Sequence, residues 1–256
     1  RVIAERAINR IDQLAAENSK QPLALLCNSW LPHAPLWAPQ EHAQMIHPDE
    51  IKLPKTVGRW YPGMPINHLL NVCGQLGAHL DEAAWREAWA VYAGMVALLD
   101  QCVGRVLGAL DRAGRLDDAL VVFTSDHGEM LGSHRLYAKL CMYEDAMHVP
   151  LLVKLPGQQS SRRVKGLTHH LDVVKTLLDA AEANPLHDHD VPAALGGDDD
   201  AAFGESLLPL AGGTGSAVPG RGHVYASYDG NAGRGFAQRM ARSTSHKLVD
   251  RPHVEV

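Results

Sequence analysis

A carboxylate and an imidazole stand side by side where an apolar run of the sequence ends. The run at residues 119–124 leads through Ser125 into Asp126, His127 and Gly128. Both side chains are good ligands for a divalent cation, and the glycine permits the tight turn that would let them reach one ion. The same pattern fits a structural role, in which Asp126 caps a following helix and His127 packs. From these residues alone, metal binding and capping are both open interpretations.

Three short apolar runs predict the strands that position this pair. They cover residues 22–28, 119–124 and 149–155, and each has the pattern of a strand buried on both faces. Pro150 removes one backbone donor, which places it at the start or the edge of its strand. Ligands of open α/β sheets bind beyond the carboxyl ends of the strands, so a pair that follows the second run lies at the expected place.

Amphipathic stretches between these runs predict three helices. They extend from the start of the chain to near Asn18, from Asp81 to Gly114, and over residues 171–181. Strands that alternate with helices indicate an α/β fold with a mostly parallel sheet flanked by helices. Stretches at residues 222–228 and 239–243 predict the start of a small antiparallel C-terminal subdomain.

The composition divides the chain into three parts. Residues 1–183 are predicted to form an α/β catalytic domain, in which residues 28–80, with seven of the fifteen prolines, form a long ordered loop rather than a helix. Residues 184–222 are rich in Gly, Pro, Ala and Asp and are predicted to be a loop or linker. Residues 223–256 are the start of the C-terminal subdomain.

Charge and cysteine usage argue against several classes of protein. The net charge of -5 argues against a non-specific nucleic-acid binder, which would be basic over its binding face. No apolar run approaches the roughly 20 residues of a membrane helix, so no membrane partner is expected. The four separate cysteines form neither a disulfide framework nor a zinc-finger spacing, and Cys27, Cys102 and Cys141 are predicted to be small core residues.

The chain opens on an amphipathic stretch without a start methionine or signal peptide, which suggests upstream sequence and leaves the location open between cytoplasm and periplasm.

The stretch around Asp126 resembles the second signature of the sulfatases, within the alkaline phosphatase superfamily. The residues that match are Ser125-Asp126-His127-Gly128-Glu129, Gly132, Lys139, Met142-Tyr143-Glu144 and residues 149–153. Further stretches resemble the family in the correct order: Pro32-His33-Ala34-Pro35-Leu36, residues 92–104, His169-His170-Leu171-Asp172, Thr176-Leu177-Leu178, and residues 206–210 and 240–248. The resemblance covers nearly the whole chain, and it implies the sulfatase fold and the hydrolysis of sulfate esters.

Carried over residue by residue, the resemblance implies four site residues. Asp126 and His127 would bind one divalent metal ion, while Lys139 would contact the sulfate oxygens. His33 would lie near the bridging oxygen of the ester, although a structural role as a hydrogen-bonded loop histidine is an open alternative. Many sulfatases have an asparagine beside Ca²⁺ where this chain has His127, and imidazole suits that hard cation poorly, so Mg²⁺ and Mn²⁺ are expected alongside Ca²⁺. These groups would stabilise the charge that develops as the S–O bond breaks.

The family's nucleophile is not found in these 256 residues. It comes from a Cys-x-Pro-x-Arg or Ser-x-Pro-x-Arg motif whose first residue becomes formylglycine, and neither version occurs. The family's paired aspartates after its first strand are also missing, because Asp117-Asp118 precedes a predicted strand. The family order places both parts before Arg1. Formylglycine is therefore expected upstream, and the chain alone is expected to be inactive.

Two other functions are open at this stage. A phosphonate monoester or phosphodiester hydrolase of the same superfamily would use the same metal and charge clamp. A non-catalytic binding protein would keep the sulfatase fold without the nucleophile. The expected partner is a small-molecule or glycan sulfate ester, with no nucleic acid and no membrane, and the sequence indicates no oligomeric state.

Overall fold

The computed structural model describes residues 2–65, 68, 70–182, 204–213, 218, 221–229 and 237–250. The chain divides into two units, of which the first comprises Arg1–Asp117 and Gly128–Leu140 and the second comprises Asp118–His127 and Cys141–Val256. Most of the predicted linker over residues 184–222 lies outside the described residues.

The first unit is helical. Its helices are α1 (Val2–Ala16), α2 (Gln40–Ala43), α3 (Val72–Gly77) and α4 (Glu82–Arg112), and a 3₁₀ turn covers Pro48–Glu50. The helices α1 and α4 confirm two predictions, while the predicted loop over residues 28–80 is interrupted by α2, the 3₁₀ turn and α3. Asp81 caps α4 by accepting a hydrogen bond from Ala84 N at 2.9 Å. Ala4, Leu98 and Cys102 form a buried cluster that joins α1 to α4.

Among the described helices, α4 is the one whose length and hydropathy would suffice to cross a bilayer. Core helices of soluble proteins meet this criterion too. Trp85, Met95 and Leu98 of α4 are buried in the first unit, and the helix carries charged residues at both ends, Glu82 and Arg112.

Residues 22–28 do not form the predicted buried strand. They lie in a stretch without helix or strand, and Leu26 is among the most exposed large apolar residues of the chain. Cys27 is exposed, so its prediction as a core residue is wrong, whereas Cys102 and Cys141 are buried as predicted. An apolar run shows that a segment tends to be buried, but a strand also needs a hydrogen-bonded neighbour, which the run cannot specify.

The second unit contains the strands. In chain order its elements are β1 (Val121–Thr124), α5 (Glu144–Met147), β2 (Leu151–Lys154), α6 (His170–Ala180), α7 (Leu208–Ala211), β3 (Val224–Tyr228), β4 (Gln238–Arg242) and β5 (Lys247–Asp250). The helix α6 and the strands β1 and β2 lie where the sequence predicted them, and Pro150 immediately precedes β2. The three strands β3, β4 and β5 form an antiparallel sheet in that order, which confirms the antiparallel pairing predicted at residues 222–228 and 239–243.

The pairing of β1 with β2 is antiparallel, with Val122 opposite Val153 and Thr124 opposite Leu151. No parallel strand pair occurs among the described residues. Parallel neighbours need a crossover connection, usually a helix of several turns. Between β1 and β2 the only helix is α5, which has four residues, so this connection does not provide one.

Asp172 anchors the start of α6. Its side chain is fully buried and accepts hydrogen bonds from His169 N at 2.8 Å and Glu205 N at 2.9 Å, and it pairs with Arg221. Burial alone would raise the pKa of this carboxyl, but the hydrogen bonds from Arg221, Glu205 and His169 outweigh it and lower the pKa. The helix that follows β2 is therefore fixed by a satisfied buried charge.

Candidate active site

Asp126 and His127 follow β1 directly, and their side chains face each other. Asp126 Oδ2 lies 3.5 Å from His127 Nε2. Two ligands that each bind one ion at about 2.1 Å must lie within roughly 4.2 Å of each other, so this separation suits shared coordination. The Asp126 side chain is 84% exposed and that of His127 33% exposed, so a cation has access to both.

Hydrogen bonds within the turn hold this pair. His127 N donates to Asp126 Oδ1 at 2.9 Å, and Ser125 Oγ donates to His127 O at 2.8 Å. His170 Nε2, on the first residue of α6, lies 2.8 Å from Ser125 O. The first helix after Asp126 is α5, eighteen residues on, so the interpretation of Asp126 as a helix cap is wrong.

The donors of this pair fit a divalent cation. A carboxylate oxygen combined with an imidazole nitrogen suits Mg²⁺ or Mn²⁺, and it suits Ca²⁺ less well. Across the described ranges, no cluster of three or more His, Cys, Asp or Glu side chains is arranged to hold an ion. Such ions take about six ligands. Asp126 and His127 would therefore supply part of a coordination shell.

In the first unit, His33 and Lys139 are in direct contact. Lys139 Nζ meets His33 Nε2 within hydrogen-bonding distance, although the residues are 106 positions apart in the chain. His33 Nδ1 lies 2.6 Å from Ala34 O. Because a carbonyl oxygen only accepts, Nδ1 carries the hydrogen and Nε2 turns its lone pair toward the ammonium. Both ring nitrogens of His33 thus have hydrogen-bond partners, and one partner is Lys139, the residue predicted to contact the sulfate oxygens.

Lys139 lies in a loop that one carboxylate closes. In this Lys139 loop, residues 129–140, Glu129 Oε1 accepts hydrogen bonds from Leu131 N at 3.1 Å and from Ala138 N at 2.5 Å. The carboxylate therefore joins the two ends of the loop. The resemblance included Glu129 in the signature but gave it no role, and its contacts with the backbone could not be read from the sequence.

Cys73 holds the same loop from α3. Its side chain is 1% exposed, and its Sγ donates to Lys139 O at 2.7 Å. Burial, and then the negative charge of Glu129, raise the pKa of Cys73 to about 11, so the group stays a thiol donor at neutral pH. No sequence pattern pointed to Cys73, because its partner is a backbone oxygen 66 residues away.

The backbone of the Lys139 loop is strained. Five non-glycine residues in it have a positive φ, between 40° and 81°: Leu131, His134, Arg135, Ala138 and Leu140. Such conformations are costly and persist only where the surroundings enforce them. Gly132 has φ +93°, and a Cβ atom there would lie 2.7 Å from the ring of Trp85, so glycine is required.

Two side chains outside the loop enforce this conformation. Trp89 Nε1 of α4 donates to Leu131 O at 2.8 Å. Ser133 is completely buried, and its Oγ lies 3.1 Å from Thr56 Oγ1. Lys139 is therefore presented by a backbone that is fixed before any ligand binds.

The sulfatase family model matches residues 1–183 of this chain. The chain belongs to the sulfatase family. Its sequence is 38% identical over 137 residues to a multifunctional alkaline phosphatase superfamily protein, PehA, of Trinickia caryophylli, which covers 52% of this chain and 24% of that protein. It is 31% identical over 193 residues to arylsulfatase K of Bos taurus, which covers 69% of this chain and 35% of the relative.

The structure of this sulfatase-family chain is similar to that of the phosphonate monoester hydrolase SpPMH from Silicibacter pomeroyi. The TM-score is 0.74 at 25% identity, and the match covers 96% of this chain and 51% of that protein. The fold of the alkaline phosphatase and sulfatase type, predicted from the sequence, is therefore confirmed. The chain spans about a quarter to a third of the two curated relatives named above and about half of this solved structure. The family generally uses a divalent metal and formylglycine.

Proposed function

We propose that the complete protein hydrolyses sulfate esters, with His33 and Lys139 acting on the sulfate group and Asp126 and His127 holding one divalent metal ion. The observation that carries the proposal is the contact between His33 Nε2 and Lys139 Nζ. The resemblance assigned both side chains to the same ester group, and the fold of the first unit joins them although they are far apart in sequence. The assignment of the metal to Asp126 and His127 rests on the resemblance, and a divalent metal in such an enzyme supplies positive charge to the ester.

Lys139 has donors left for a substrate. An ammonium carries three hydrogens, and one of them is directed at His33. The other two are able to bind sulfate oxygens, on which negative charge builds as the ester bond breaks. Because the strained loop fixes the lysine backbone in advance, little reorganisation is needed at that moment.

In this proposal His33 would act on the departing oxygen. The Nδ1 hydrogen is bound to Ala34 O at 2.6 Å, which holds the ring so that Nε2 faces outward to Lys139. Nε2 carries no hydrogen in this tautomer, so it would first take up a proton from solvent and then pass that proton to the leaving alcohol. The nucleophile expected for the reaction is formylglycine from an upstream segment.

Hydrolysis of phosphonate monoesters is the second candidate function. It is favoured by the similarity to the phosphonate monoester hydrolase SpPMH. A metal and a lysine would clamp a phosphoryl group as they clamp a sulfuryl group. The identity to arylsulfatase K, which extends over more of this chain, favours the sulfate ester.

A side-by-side assay tests the proposal. The complete protein, loaded with Mn²⁺, is given 4-nitrophenyl sulfate, a 4-nitrophenyl phosphonate monoester and a 4-nitrophenyl phosphodiester. We expect kcat/KM to be highest for the sulfate and to collapse in Lys139→Ala. A higher value for the phosphonate would favour the second candidate. Absence of turnover with all three esters, together with intact metal binding, would leave only a binding protein.

A further inference from the structure

Trp30 lies beside His33 with most of its side chain open to solvent. The centroids of the indole and imidazole rings are 4.7 Å apart, with the planes tilted by 51°. The backbone fixes this arrangement, because His33 N donates to Trp30 O at 2.8 Å. Trp30 nevertheless remains 69% exposed. The imidazole therefore covers only part of the indole surface.

A tryptophan whose role is packing has a different environment. Trp85 of the same unit is 1% exposed and lies against the Gly132 backbone. Tryptophan has a large apolar surface and is highly buried on average, so a mostly open indole next to a candidate catalytic histidine is notable. Large exposed aromatic faces are typical of ligand and partner contacts.

We propose that Trp30 recognises the leaving alcohol of the ester, by stacking on a flat ring that this alcohol carries. The inference rests on the proposed function, since that function places His33 at the bridging oxygen. The group attached to this oxygen would then lie near His33, whose ring the indole contacts. A flat ring, either an aromatic ring or the apolar face of a pyranose, offers a surface that an indole can stack on, whereas a linear alkyl chain does not.

The test compares esters that differ only in the alcohol. Phenyl sulfate, a monosaccharide O-sulfate and ethyl sulfate are given to the complete protein and to Trp30→Ala. Because the three alcohols differ in intrinsic reactivity, the quantity compared is the change in kcat/KM that the substitution causes for each ester. We expect a loss of about three- to tenfold for the ring-bearing esters, mainly through KM, and a change within about twofold for ethyl sulfate. The two ring-bearing esters show whether the ring is aromatic, a sugar or either.

Two further variants separate recognition from structure. Trp30→Phe keeps an aromatic face and is expected to restore most of the loss. Trp37→Ala removes another tryptophan of the same loop, 71% exposed, and is expected to leave all three esters unchanged. An equal loss for all three esters in Trp30→Ala, or no loss for any of them, would overturn the proposal.

The outcome is separable from that of the proposed function. If the protein prefers phosphonate monoesters, the same comparison is made with phenyl and ethyl phosphonate monoesters, and selectivity for the ring still supports the role of Trp30. If the protein does not turn over any of these esters, calorimetry is used to measure its Kd for phenyl sulfate and for ethyl sulfate. The Kd for phenyl sulfate is then expected to rise three- to tenfold in Trp30→Ala, and an unchanged Kd would contradict the inference.

Discussion

The loop that carries Lys139 and the turn that carries Asp126 are held in different ways. The Lys139 loop is closed by the Glu129 carboxylate, bound by the Cys73 thiol, and kept in a strained conformation by packing on α4. Asp126 instead has an 84% exposed side chain, and its hydrogen bonds come from the adjacent residues Ser125 and His127.

This difference agrees with the proposed roles. A cation that stabilises a developing anion is effective when it is fixed beforehand, because reorganisation during the reaction would cost free energy and offset the electrostatic stabilisation. A ligand pair can be completed by the ion itself, since metal binding contributes its own ordering energy. We therefore expect substitutions at Asp126 to act on metal affinity, and substitutions around Lys139 to act on turnover.

The largest effect is expected for Asp126→Ala in the complete protein. Loss of the carboxylate removes one of two predicted ligands, so affinity for Mn²⁺ should fall at least about a hundredfold and turnover should be abolished. Calorimetry and metal content measure the first, and the sulfate assay measures the second. Asp118→Ala is the matched control, because this exposed aspartate precedes β1 instead of following it. Unchanged metal content in Asp126→Ala would count against the ligand assignment.

Lys139→Ala should show that the Lys139 loop affects turnover and not metal affinity. Removing one preorganised donor lowers kcat/KM by about a hundred- to a thousandfold, while the affinity for Mn²⁺ should stay within about twofold. Lys52→Ala, at an exposed lysine of the first unit, should change neither quantity. A loss of metal affinity as large as that in Asp126→Ala would show that the regions do not act independently.

Glu129→Ala should act more weakly than removal of Lys139 itself. Two backbone N–H groups, of Leu131 and Ala138, lose their acceptor, which costs about 1–3 kcal/mol of stability for each that stays buried. The displaced loop should lower kcat/KM by about tenfold or more. Glu129→Gln keeps an acceptor oxygen at the same position and should recover most of both losses.

Glu87→Ala is the control for this substitution, since Glu87 is an exposed glutamate of α4. A Glu129→Gln variant as impaired as Glu129→Ala would mean that the carboxylate acts through its charge, and the proposed closure of the loop by its hydrogen bonds would be wrong.

The smallest effect is expected at Cys73 and depends on pH. Its folded-state pKa of about 11 lies above the ordinary 9.0, so the folded protein favours the thiol. The resulting stability is complete below pH 9 and is lost as pH rises toward 11, with a total of about 2–3 kcal/mol. The midpoint of urea unfolding should therefore fall across this range in the wild type and fall less in Cys73→Ala. Cys102→Ala, at a buried cysteine of α4, should keep the wild-type slope.

Local sequence patterns predicted the positions of helices and strands better than they predicted which segments pack or pair with each other. The bounds of α4 could be predicted from Asp81 and Gly114. The Asp81 side chain caps the start of the helix, and the flexible backbone of Gly114 ends it. Its amphipathic pattern did not determine which neighbouring residues are buried: Val96 is exposed and Met95 is buried, because packing in the first unit decides which side of the helix is covered. The antiparallel pairing of β1 with β2 depends on a connection whose path no short pattern reveals.

The candidate site shows the same limit. Asp126 and His127 could be found from the sequence because they are adjacent and follow a strand. The contact of His33 with Lys139 required a family resemblance, since it joins distant segments. Cys73 and Glu129 were assigned no role, because both form hydrogen bonds with backbone atoms. No sequence pattern shows which side chain will bind a given backbone group.

The position of a bound metal tests most directly whether Asp126 and His127 are metal ligands. Crystals of the complete protein soaked in Mn²⁺ would be measured at a wavelength where manganese scatters anomalously. We expect a peak about 2.1 Å from an Asp126 carboxylate oxygen and about the same distance from His127 Nε2. A peak bound by other residues, with Asp126 and His127 turned away from it, would show that these two side chains are not the metal ligands.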